Sequence, residues 1–525
     1  MEVIMESKKR LFSIVEWFVI LLLIVFLFLL AIKTRDKLSA VKDMVSMEES
    51  KLVLYQGPKS LRDATKEDLK AAKEKDRDFS LLHCTDTIVK VNGYDSYVYD
   101  TNVNHSRTWA TDYMPVQSRT PITYFDFQGQ ANIEVTVEDI ELASVKISPQ
   151  SIELEPLIDR DNNKVSFTIT EPGNYTVTFN DSPARALHIF ANPLETNVPS
   201  PEDEGVVFIG PGEWNIESIM LEDNQTLYIS GGAVIHGVVN ADHAKNVKVL
   251  GRGIIDGSGY KTWGGSSAHI PLKFDNCNNV ELRDVIVLNP NAWVLNSLST
   301  KNEIIDGVRI ISSRPNGDGI TLQSCENVTV ENCFVRSWDD SLVVKNYVGD
   351  SKNIIFKNNQ LWTDFAQSME IGFETNKGNK KEAIISDITF EDIIVLNNFH
   401  KPVISLHNGD DALIKDIVFK NITVENAQMG SGDGDVMPYL IDLYITENPN
   451  WSTSKDRGQI RNVLIDGVTV LAGKFAPSRI EGYDEAHTVE DVTIRNVEIL
   501  GDKIRSFEQG KFQIDTESTK NLVIE

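Results

Sequence analysis

The clearest pattern along this chain is a short motif of alternating apolar and polar residues that recurs through its second half. Each copy begins with Asn or Asp, continues with alternating apolar residues, and reaches another Asn, Asp or Gly before a further apolar residue. Copies include NNVELRDVIVL, NVTVENCFV, NIIFKNNQL, DITFEDIIV, DIVFKNITV, NVLIDGVTV and DVTIRNVEI. A period of two residues predicts β-strands, because successive side chains of a strand point to opposite faces.

The spacing of these copies predicts a solenoid. Marks at Asn279, Asn302, Asn327 and Asn353 are 23, 25 and 26 residues apart, and later steps are longer, with the surplus expected in loops. A steady period of this size indicates stacked coils. β-Branched residues without helical periodicity favour a parallel β-helix over helical or leucine-rich repeats, and a large sandwich or barrel would not keep the period. We therefore expect an all-β fold with a parallel β-helix over residues 205–525.

Shorter alternating strands fill residues 82–195. Segments such as TIVKVNGYDSYVYD, ANIEVTVEDI and NYTVTFN, separated by turn sequences, predict a compact β-sandwich. We expect this sandwich to pack on the N-terminal end of the solenoid and to cover its open core, because the terminal coils of a solenoid need capping. A carbohydrate-binding role is the alternative.

The N-terminus contains the longest apolar run. Residues 11–32 form a 22-residue apolar stretch interrupted by Ser13 and Glu16, which is long enough to span a bilayer and too long for the core of a typical signal peptide. The sequence predicts a tail over 1–10, an uncleaved transmembrane anchor over 11–32 and a charged helical stalk over 33–81. Basic residues flank both ends of the anchor, so the positive-inside rule does not fix its orientation.

Three aspartates occur close together within one repeat of the motif. Residues 316–345 read NGDGITLQSCENVTVENCFVRSWDDSLVVK and contain Asp318, Asp339 and Asp340. An isolated Asp-Asp pair is usually a solvated turn, but here a tryptophan precedes the pair and an apolar strand follows it. Three acids this close cannot all ionise freely, so at least one pKa should be raised. One protonated acid beside ionised partners is what an inverting glycosidase requires.

The repeat register predicts which side chains lie in one column with these acids. Residues about 14 positions after successive marks should lie above one another, because neighbouring coils stack about 4.8 Å apart. A column of an aromatic residue, acids, an amide and a base suits a sugar chain that lies along the solenoid axis. Its predicted members are Trp293, Asp318, Asp339 with Asp340, Gln367, and His400 with Lys401.

At these residues the chain resembles the polygalacturonase family of glycoside hydrolases (family 28), whose members are right-handed parallel β-helices. The family's Asn-Thr-Asp motif corresponds to Asn-Gly-Asp at 316–318, and its Asp-Asp motif followed five residues later by lysine corresponds to Asp339, Asp340 and Lys345. The resemblance implies hydrolysis with inversion at the anomeric carbon. It implies that Asp339 is the general acid and that Asp318 and Asp340 activate the attacking water.

Two departures from the family bear on the substrate. The family's Gly-His-Gly element falls on residues 366–368, which read Ala-Gln-Ser, so Gln367 or Glu370 fills the place of the histidine. Its Arg-Ile-Lys element, which holds a galacturonate carboxylate, has no clean counterpart in residues 400–415, where two histidines and a lysine are the nearby cations. The predicted substrate-binding residues are Trp293, Asn316, Lys345, Gln367, Glu370, His400, Lys401 and His407.

The chain also resembles the related dextranases (family 49), which share the β-helix and the aspartate triad, lack that histidine and have a β-sandwich ahead of the helix. The substrate therefore stays open between a pectin-type polysaccharide, which the polygalacturonase resemblance favours, and a neutral α-glucan. A polysaccharide lyase and a non-catalytic glycan-binding solenoid also stay open. A lyase would use a Lys or Arg base, often with calcium, whereas the predicted column is rich in acids and poor in arginine.

Charge and cysteine content limit the partners. A net charge of −26 argues against a nucleic-acid partner and should repel a polyanionic pectin at long range. The four cysteines lack the spacing of a metal site or a disulfide scaffold, and no loop has a calcium-ligand pattern, so we expect no cofactor and no metal. We expect a monomeric, single-pass membrane enzyme whose catalytic domain lies outside the cell with its polysaccharide; secretion after signal cleavage is the alternative.

Overall fold

The computed structural model of the chain describes residues 51–62, 81–104, 118–182, 186–260, 262, 265–429 and 438–525. In this described part nearly all regular structure is β-strand, and α-helix is limited to α1 (Lys59–Arg62). Single 3₁₀ turns occur at Gln150–Ile152 and Gly265–Ser267. The predicted tail (1–10) and the predicted anchor (11–32) lie outside the described residues. None of the helices in the described ranges has the length and apolarity needed to cross a membrane.

The first twelve strands of the described chain form two sheets that face each other. One sheet has the order β2-β5-β6-β12-β11-β8, with β1 paired to β6, and the other has the order β4-β3-β7-β10-β9. Alternating residues of β7 and β10 are buried between the sheets, as expected for a sandwich whose inner faces form the core. The strands are β1 (Lys51–Leu54), β2 (Leu82–His83), β3 (Thr87–Val91), β4 (Tyr94–Ser96), β5 (Tyr99–Val103), β6 (Ser118–Gln128), β7 (Ala131–Val137), β8 (Val145–Ser148), β9 (Leu157–Asp159), β10 (Lys164–Ile169), β11 (Gly173–Phe179) and β12 (Ala186–Pro193).

Strand β1 corrects part of the stalk prediction for residues 33–81. Residues 51–54 pair antiparallel with β6 instead of forming a helical stalk. The physical reason is the alternation of Leu52 and Leu54, whose side chains pack against the sandwich core. Beyond them, α1 (Lys59–Arg62) is a short helix within the predicted stalk.

The remaining strands form one continuous 29-stranded arrangement in which a strand pairs in parallel with the second or third strand along the chain. This is the predicted parallel β-helix; its right-handedness stays a prediction. The first strands are β13 (Val206–Ile209), β14 (Gly212–Leu221), β15 (Thr226–Ile229), β16 (Ala233–Asp242), β17 (Lys245–Gly251), β18 (Ile254–Asp256), β19 (Leu272–Asp275), β20 (Asn278–Arg283), β21 (Ile286–Leu288), β22 (Leu295–Leu298), β23 (Lys301–Asp306), β24 (Arg309–Ile311), β25 (Ile320–Gln323), β26 (Glu326–Glu331) and β27 (Phe334–Ser337). The later strands are β28 (Leu342–Lys345), β29 (Ser351–Lys357), β30 (Gln360–Thr363), β31 (Met369–Phe373), β32 (Ile384–Asn398), β33 (Ile404–Asn408), β34 (Leu413–Val424), β35 (Ile441–Ile445), β36 (Gln459–Val470), β37 (Ser478–Glu481), β38 (Val489–Ile499), β39 (Asp502–Ile504), β40 (Phe512–Ile514) and β41 (Thr519–Ile524).

Each coil contributes to three faces of the helix. The cleft sheet consists of β19, β22, β25, β28, β31, β33, β35, β37 and β40; the covered sheet consists of β18, β21, β24, β27, β30 and the second half of β32. The ladder sheet consists of β17, β20, β23, β26, β29, the first half of β32 and the strands paired after it. Inward-pointing Val, Ile, Leu and Phe side chains from all three sheets form one continuous core.

The Asn marks that gave the repeat its register have a structural reason in the ladder sheet. Asn302, Asn327 and Asn353 have φ values of 56°, 59° and 54°, a left-handed conformation that Asn tolerates better than most residues. The Asn327 side-chain amide donates to the Asn302 side chain at 3.0 Å, and Asn353 donates to Asn327 at 2.8 Å. The repeated residue therefore makes the bend and also links one coil to the next.

The sandwich packs against the side of the β-helix. Its Tyr99, Ile122, Tyr124 and Phe190 contact outward-facing apolar residues of the covered sheet that run from Ile254 to Leu396. The prediction that it caps the N-terminal end is therefore wrong. The physical reason is that the outer face of the covered sheet is apolar over many coils and requires a cover along its length.

A buried ion pair lies at the same interface. The Arg336 guanidinium donates to Asp364 at 3.0 and 3.3 Å, and both side chains are fully buried. The same guanidinium lies 3.2 Å from His188 Nε2 of the sandwich and 4.6 Å from the Trp362 ring centroid. Burial and the Arg336 charge hold the pKa of His188 well below its ordinary value, so the imidazole is neutral and accepts from the guanidinium.

Candidate active site

Backbone hydrogen bonds fix a column of residues just before the strands of the cleft sheet. The amide that follows each column residue donates to the carbonyl of the next column residue, with N···O distances of 3.0, 2.8, 2.9 and 3.1 Å. The column consists of Trp293, Asp318, Asp340, Gln367 and Pro402. The structure thus brings together the first four predicted residues, in the predicted order.

The last predicted position of the column is wrong. Pro402 occupies it, and His400 lies two residues earlier in the preceding turn. His400 is fully buried and stacks on Phe365 at a centroid distance of 5.2 Å, and Phe365 stacks on Trp338 at 4.5 Å. Lys401 lies 5.1 Å over the same Phe365 ring. The column residue lies 15 positions after Asp387, one more than the count of 14, and His400 packs in the aromatic stack instead.

The three aspartates meet where two adjacent coils enter the cleft sheet. Asp339 is half-buried, and its two carboxylate oxygens accept the backbone N–H groups of Asn316 at 3.0 Å and Asp340 at 3.2 Å. Asp340 accepts the backbone N–H of Gln367 at 3.0 Å. Asn316 and Gln367 therefore orient the acids through their main chain. Asp318 is only 3% exposed.

Burial, reinforced by electrostatic repulsion, keeps a proton within this group of acids. Burial, followed by the charge of Asp339, raises the pKa of Asp318 well above its ordinary value, although Lys345 opposes the rise. Burial, the charge of Asp339 and that of Glu370 raise the pKa of Asp340 to about 7. The cluster therefore holds a proton at near-neutral pH, as the sequence predicted from the proximity of the three acids.

Lys345 lies next to the acids and is itself tightly held. Its ammonium is 3.0 Å from Glu374 and 3.8 Å from Asp318, and it lies 5.4 Å over the ring of the half-buried Trp293. Tyr347 donates to the other oxygen of Glu374 at 3.0 Å. Burial alone would lower the pKa of Lys345, but the charges of Glu374 and Asp318 outweigh it and raise the pKa well above its ordinary value. Lys345 is therefore a permanent cation.

A buried network of four charged side chains continues from the acids along the cleft sheet. His407 lies between two carboxylates, with Nδ1 2.9 Å from Glu370 and Nε2 2.9 Å from Asp442. Arg479 donates to both oxygens of Asp442 at 2.8 and 2.9 Å, and Ser405 donates to Glu370. We call Glu370, His407, Asp442 and Arg479 the charged tetrad.

His407 is a cation in this network. Burial alone would lower its pKa, but the charge of Glu370 and the hydrogen bond and charge of Asp442 raise the pKa to about 9. Burial tends to raise the pKa of Asp442, but the hydrogen bond from His407 and the bond from Arg479 bring it below its ordinary value. The tetrad therefore contains two cations and two anions.

Sequence reasoning selected Glu370 and His407 and missed Asp442 and Arg479. These two residues pair across β35 and β37 and lie 37 positions apart in the chain, beyond the span of any local motif. A usable signal for Asp442 was its place as the single charged residue of the otherwise apolar strand IDLYI. Within the described ranges, no group of three or more His, Cys, Asp or Glu side chains is arranged to hold a metal ion.

Comparison with protein families and curated proteins identifies relatives of this chain. The family described as Glycosyl hydrolases family 28 matches residues 215–514. A probable polygalacturonase of Vitis vinifera is 26% identical over 192 residues, which are 33% of this chain and 38% of that protein. A polygalacturonase of Brassica napus is 33% identical over 122 residues, or 21% of this chain and 30% of that protein. The chain thus spans about a third of the length of these curated relatives.

Among solved structures, Dex49A from Penicillium minioluteum has a similar fold. The TM-score is 0.62 at 15% sequence identity, and the alignment covers 85% of this chain and 95% of that chain. The likeness extends through most of the chain, including the residues ahead of the β-helix.

Proposed function

This chain belongs to glycosyl hydrolase family 28, and on that premise we propose that it hydrolyses the glycosidic bonds of a polysaccharide with inversion at the anomeric carbon. The observation that carries the proposal is the meeting of Asp318, Asp339 and Asp340 from two adjacent coils, with a proton retained among them near neutral pH. An inverting displacement requires at least a proton donor beside an ionised carboxylate.

The family motifs that the three acids match suggest their roles. Asp339 accepts the backbone N–H groups of Asn316 and Asp340, and we assign it the transfer of the proton shared by the three acids to the departing glycosidic oxygen. Asp318 and Asp340 occupy equivalent positions one coil apart, about 4.8 Å along the helix, which leaves room for one water between their carboxylates. One of them takes a proton from that water while the water oxygen forms the new bond to the anomeric carbon.

The charge state of Lys345 favours hydrolysis over elimination. A lyase needs a neutral or readily deprotonated base beside the substrate. The pKa of Lys345 is raised well above its ordinary value by Glu374 and Asp318, so the amine stays protonated. The names of the curated relatives make polygalacturonate the first polymer to test.

Variants of the three aspartates test the reaction and the roles separately. Asp339→Asn, Asp318→Asn and Asp340→Asn are compared on the polymer that the wild type cleaves and on a dinitrophenyl glycoside of the sugar it releases. An activated leaving group needs no proton, so Asp339→Asn should retain activity on the aryl glycoside and lose it on the polymer. Asp318→Asn and Asp340→Asn should lose activity on both. A product that absorbs in the ultraviolet through a new C=C bond would identify a lyase and contradict the proposal.

We also propose that residues 11–32 anchor the protein in the cell membrane with the catalytic domain outside. The support is the 22-residue apolar run in the sequence and the extracellular location of polysaccharides large enough to lie along the cleft. Protease added to intact cells should remove the β-helix and leave the anchor in the membrane fraction. Protection of the β-helix in intact cells, with digestion only after lysis, would contradict this orientation.

A further inference from the structure

The surroundings of the three aspartates contain more carboxylates than cations. Carboxylates in the cluster and in the elements packed against it are Asp318, Asp339, Asp340, Glu370, Glu374, Asp442 and Glu481. Cations in the same region are Lys345, Lys377, Lys401, His407 and Arg479. With one proton retained among the three aspartates, six negative charges face five positive ones before any substrate enters, in a chain whose net charge is already −26.

Four of these five cations are engaged by carboxylates of the protein. Lys345 and Lys377 both pair with Glu374, at 3.0 and 3.6 Å. Each ring nitrogen of His407 faces a carboxylate oxygen, so the imidazolium has no N–H left for a ligand.

Arg479 is the fourth engaged cation. Two of its nitrogens donate to Asp442. Its guanidinium lies 3.6 Å from the Tyr444 ring centroid and 4.9 Å from that of Tyr439. Lys401, the fifth cation, lies over the Phe365 ring.

A uronate substrate requires the opposite arrangement. A sugar carboxylate is held by a guanidinium or ammonium that presents its donors to the ligand, with arginine preferred for two-point contact. Here the guanidinium of Arg479 already makes its two-point contact with Asp442. The negative charge of Glu370 is close enough to Asp340 to help raise the Asp340 pKa, and it would repel a second anion placed beside that acid.

We propose that the reactive subsite of this cleft takes an uncharged sugar, whose hydroxyls donate to the carboxylates, and that it discriminates against uronates through the charged tetrad. This inference rests on the proposed hydrolase function and specifies its substrate class. Carboxylate oxygens accept hydroxyl hydrogen bonds readily, so an acidic cleft with few available donors suits a neutral glycan. Glu370 is the residue that sets the discrimination, because it is the tetrad member nearest the acids.

The decisive probe is a pair of polymers that differ only in charge. Polygalacturonate and its carboxyl-reduced form have the same backbone and linkage, and dextran serves as a neutral polymer with another linkage. For the full-length protein we expect kcat/KM on a neutral polymer to exceed that on polygalacturonate by at least about tenfold. Polygalacturonate hydrolysed as fast as, or faster than, both neutral polymers would overturn the inference and leave the hydrolase proposal standing.

Calorimetric binding separates the two proposals if no polymer is cleaved. Binding of a neutral polymer that is at least about tenfold tighter than that of polygalacturonate would support the neutral subsite while the hydrolase proposal fails. Tighter binding of polygalacturonate, or no binding of any of the three, would overturn the inference.

Matched charge variants test the role of the tetrad. Glu370→Gln removes one negative charge beside the acids and leaves His407 with unbalanced positive charge, so the ratio of neutral to uronate activity should fall several-fold. Glu391→Gln makes the same charge change on the ladder sheet, where Glu391 pairs with Lys420 at 3.1 Å, and should leave the ratio unchanged. Equal ratios in Glu370→Gln and Glu391→Gln would contradict the role of Glu370.

Discussion

Deprotonation of His407 should destabilise the fold at alkaline pH. The folded-state pKa is about 9, above the ordinary value of about 6.5 for the unfolded chain. The contribution of the bound proton to stability is therefore fully present below pH 6.5 and is lost as the pH rises through 9. A difference of about 2.5 pKa units at 1.36 kcal/mol per unit corresponds to about 3 kcal/mol. The physical cause is that Glu370 and Asp442 would face each other across a neutral ring.

The free energy of unfolding in urea, measured from pH 6.5 to 9.5, tests this value. His407→Gln removes the titrating group, so the gap between wild type and variant should narrow by about 3 kcal/mol across the range. His236→Gln is the matched control, because His236 also has a pKa raised to about 9, by its hydrogen bond to Asp256 and, against the effect of burial, by the charges around it. The His236→Gln variant should keep the part of the pH dependence of the unfolding free energy that comes from His407. Parallel curves for wild type and His407→Gln would refute the assignment of a cation at this site.

Three further predictions concern the interface, the coil bends and the acids. Arg336→Met should lower the free energy of unfolding in urea by about 3–5 kcal/mol, because Asp364 becomes a buried carboxylate without its cation. Adding Asp364→Leu to the same chain should recover much of that loss. No recovery would contradict the explanation. Asn327→Ala should lower the free energy of unfolding by about 1–3 kcal/mol, since it loses the side-chain hydrogen bonds to Asn302 and Asn353 and places alanine in a left-handed backbone conformation. An unchanged melting temperature would disprove the role of these hydrogen bonds. Glu370→Gln should lower the pKa of Asp340 and move the acid limb of the kcat/KM profile to lower pH, so an unmoved limb would count against their interaction.

The fold was predictable because one residue type performs two local tasks. The bend at each mark needs a left-handed residue and the next coil needs a side-chain partner, and Asn satisfies both requirements. The regular spacing of Asn302, Asn327 and Asn353 therefore follows from the coil geometry itself. The same regularity allowed Trp293 and Asp318 to be aligned in one column by counting.

Features that depend on contacts between distant segments were not predictable. The pairing of Asp442 with Arg479 requires the lengths of the two connections that flank β36 between β35 and β37, which the repeat does not specify. The displacement of His400 depends on its stacking with Phe365, and counting residues along the chain contains no information on such packing. The lateral position of the sandwich depends on which solenoid face is apolar outside, and inner and outer apolar residues look alike in a sequence.

The most direct test of the central claim is the turnover of Asp339→Asn beside wild type, on whichever of polygalacturonate, rhamnogalacturonan and dextran the wild type cleaves. Reducing-end release measures hydrolysis, and the thermal midpoint shows whether the variant is folded. We predict a loss of more than about 10³-fold with an unchanged midpoint, which is in the upper part of the range that general acid–base catalysis supplies. A folded Asp339→Asn variant that retains most of the wild-type turnover would contradict the assignment of the three aspartates as the catalytic site.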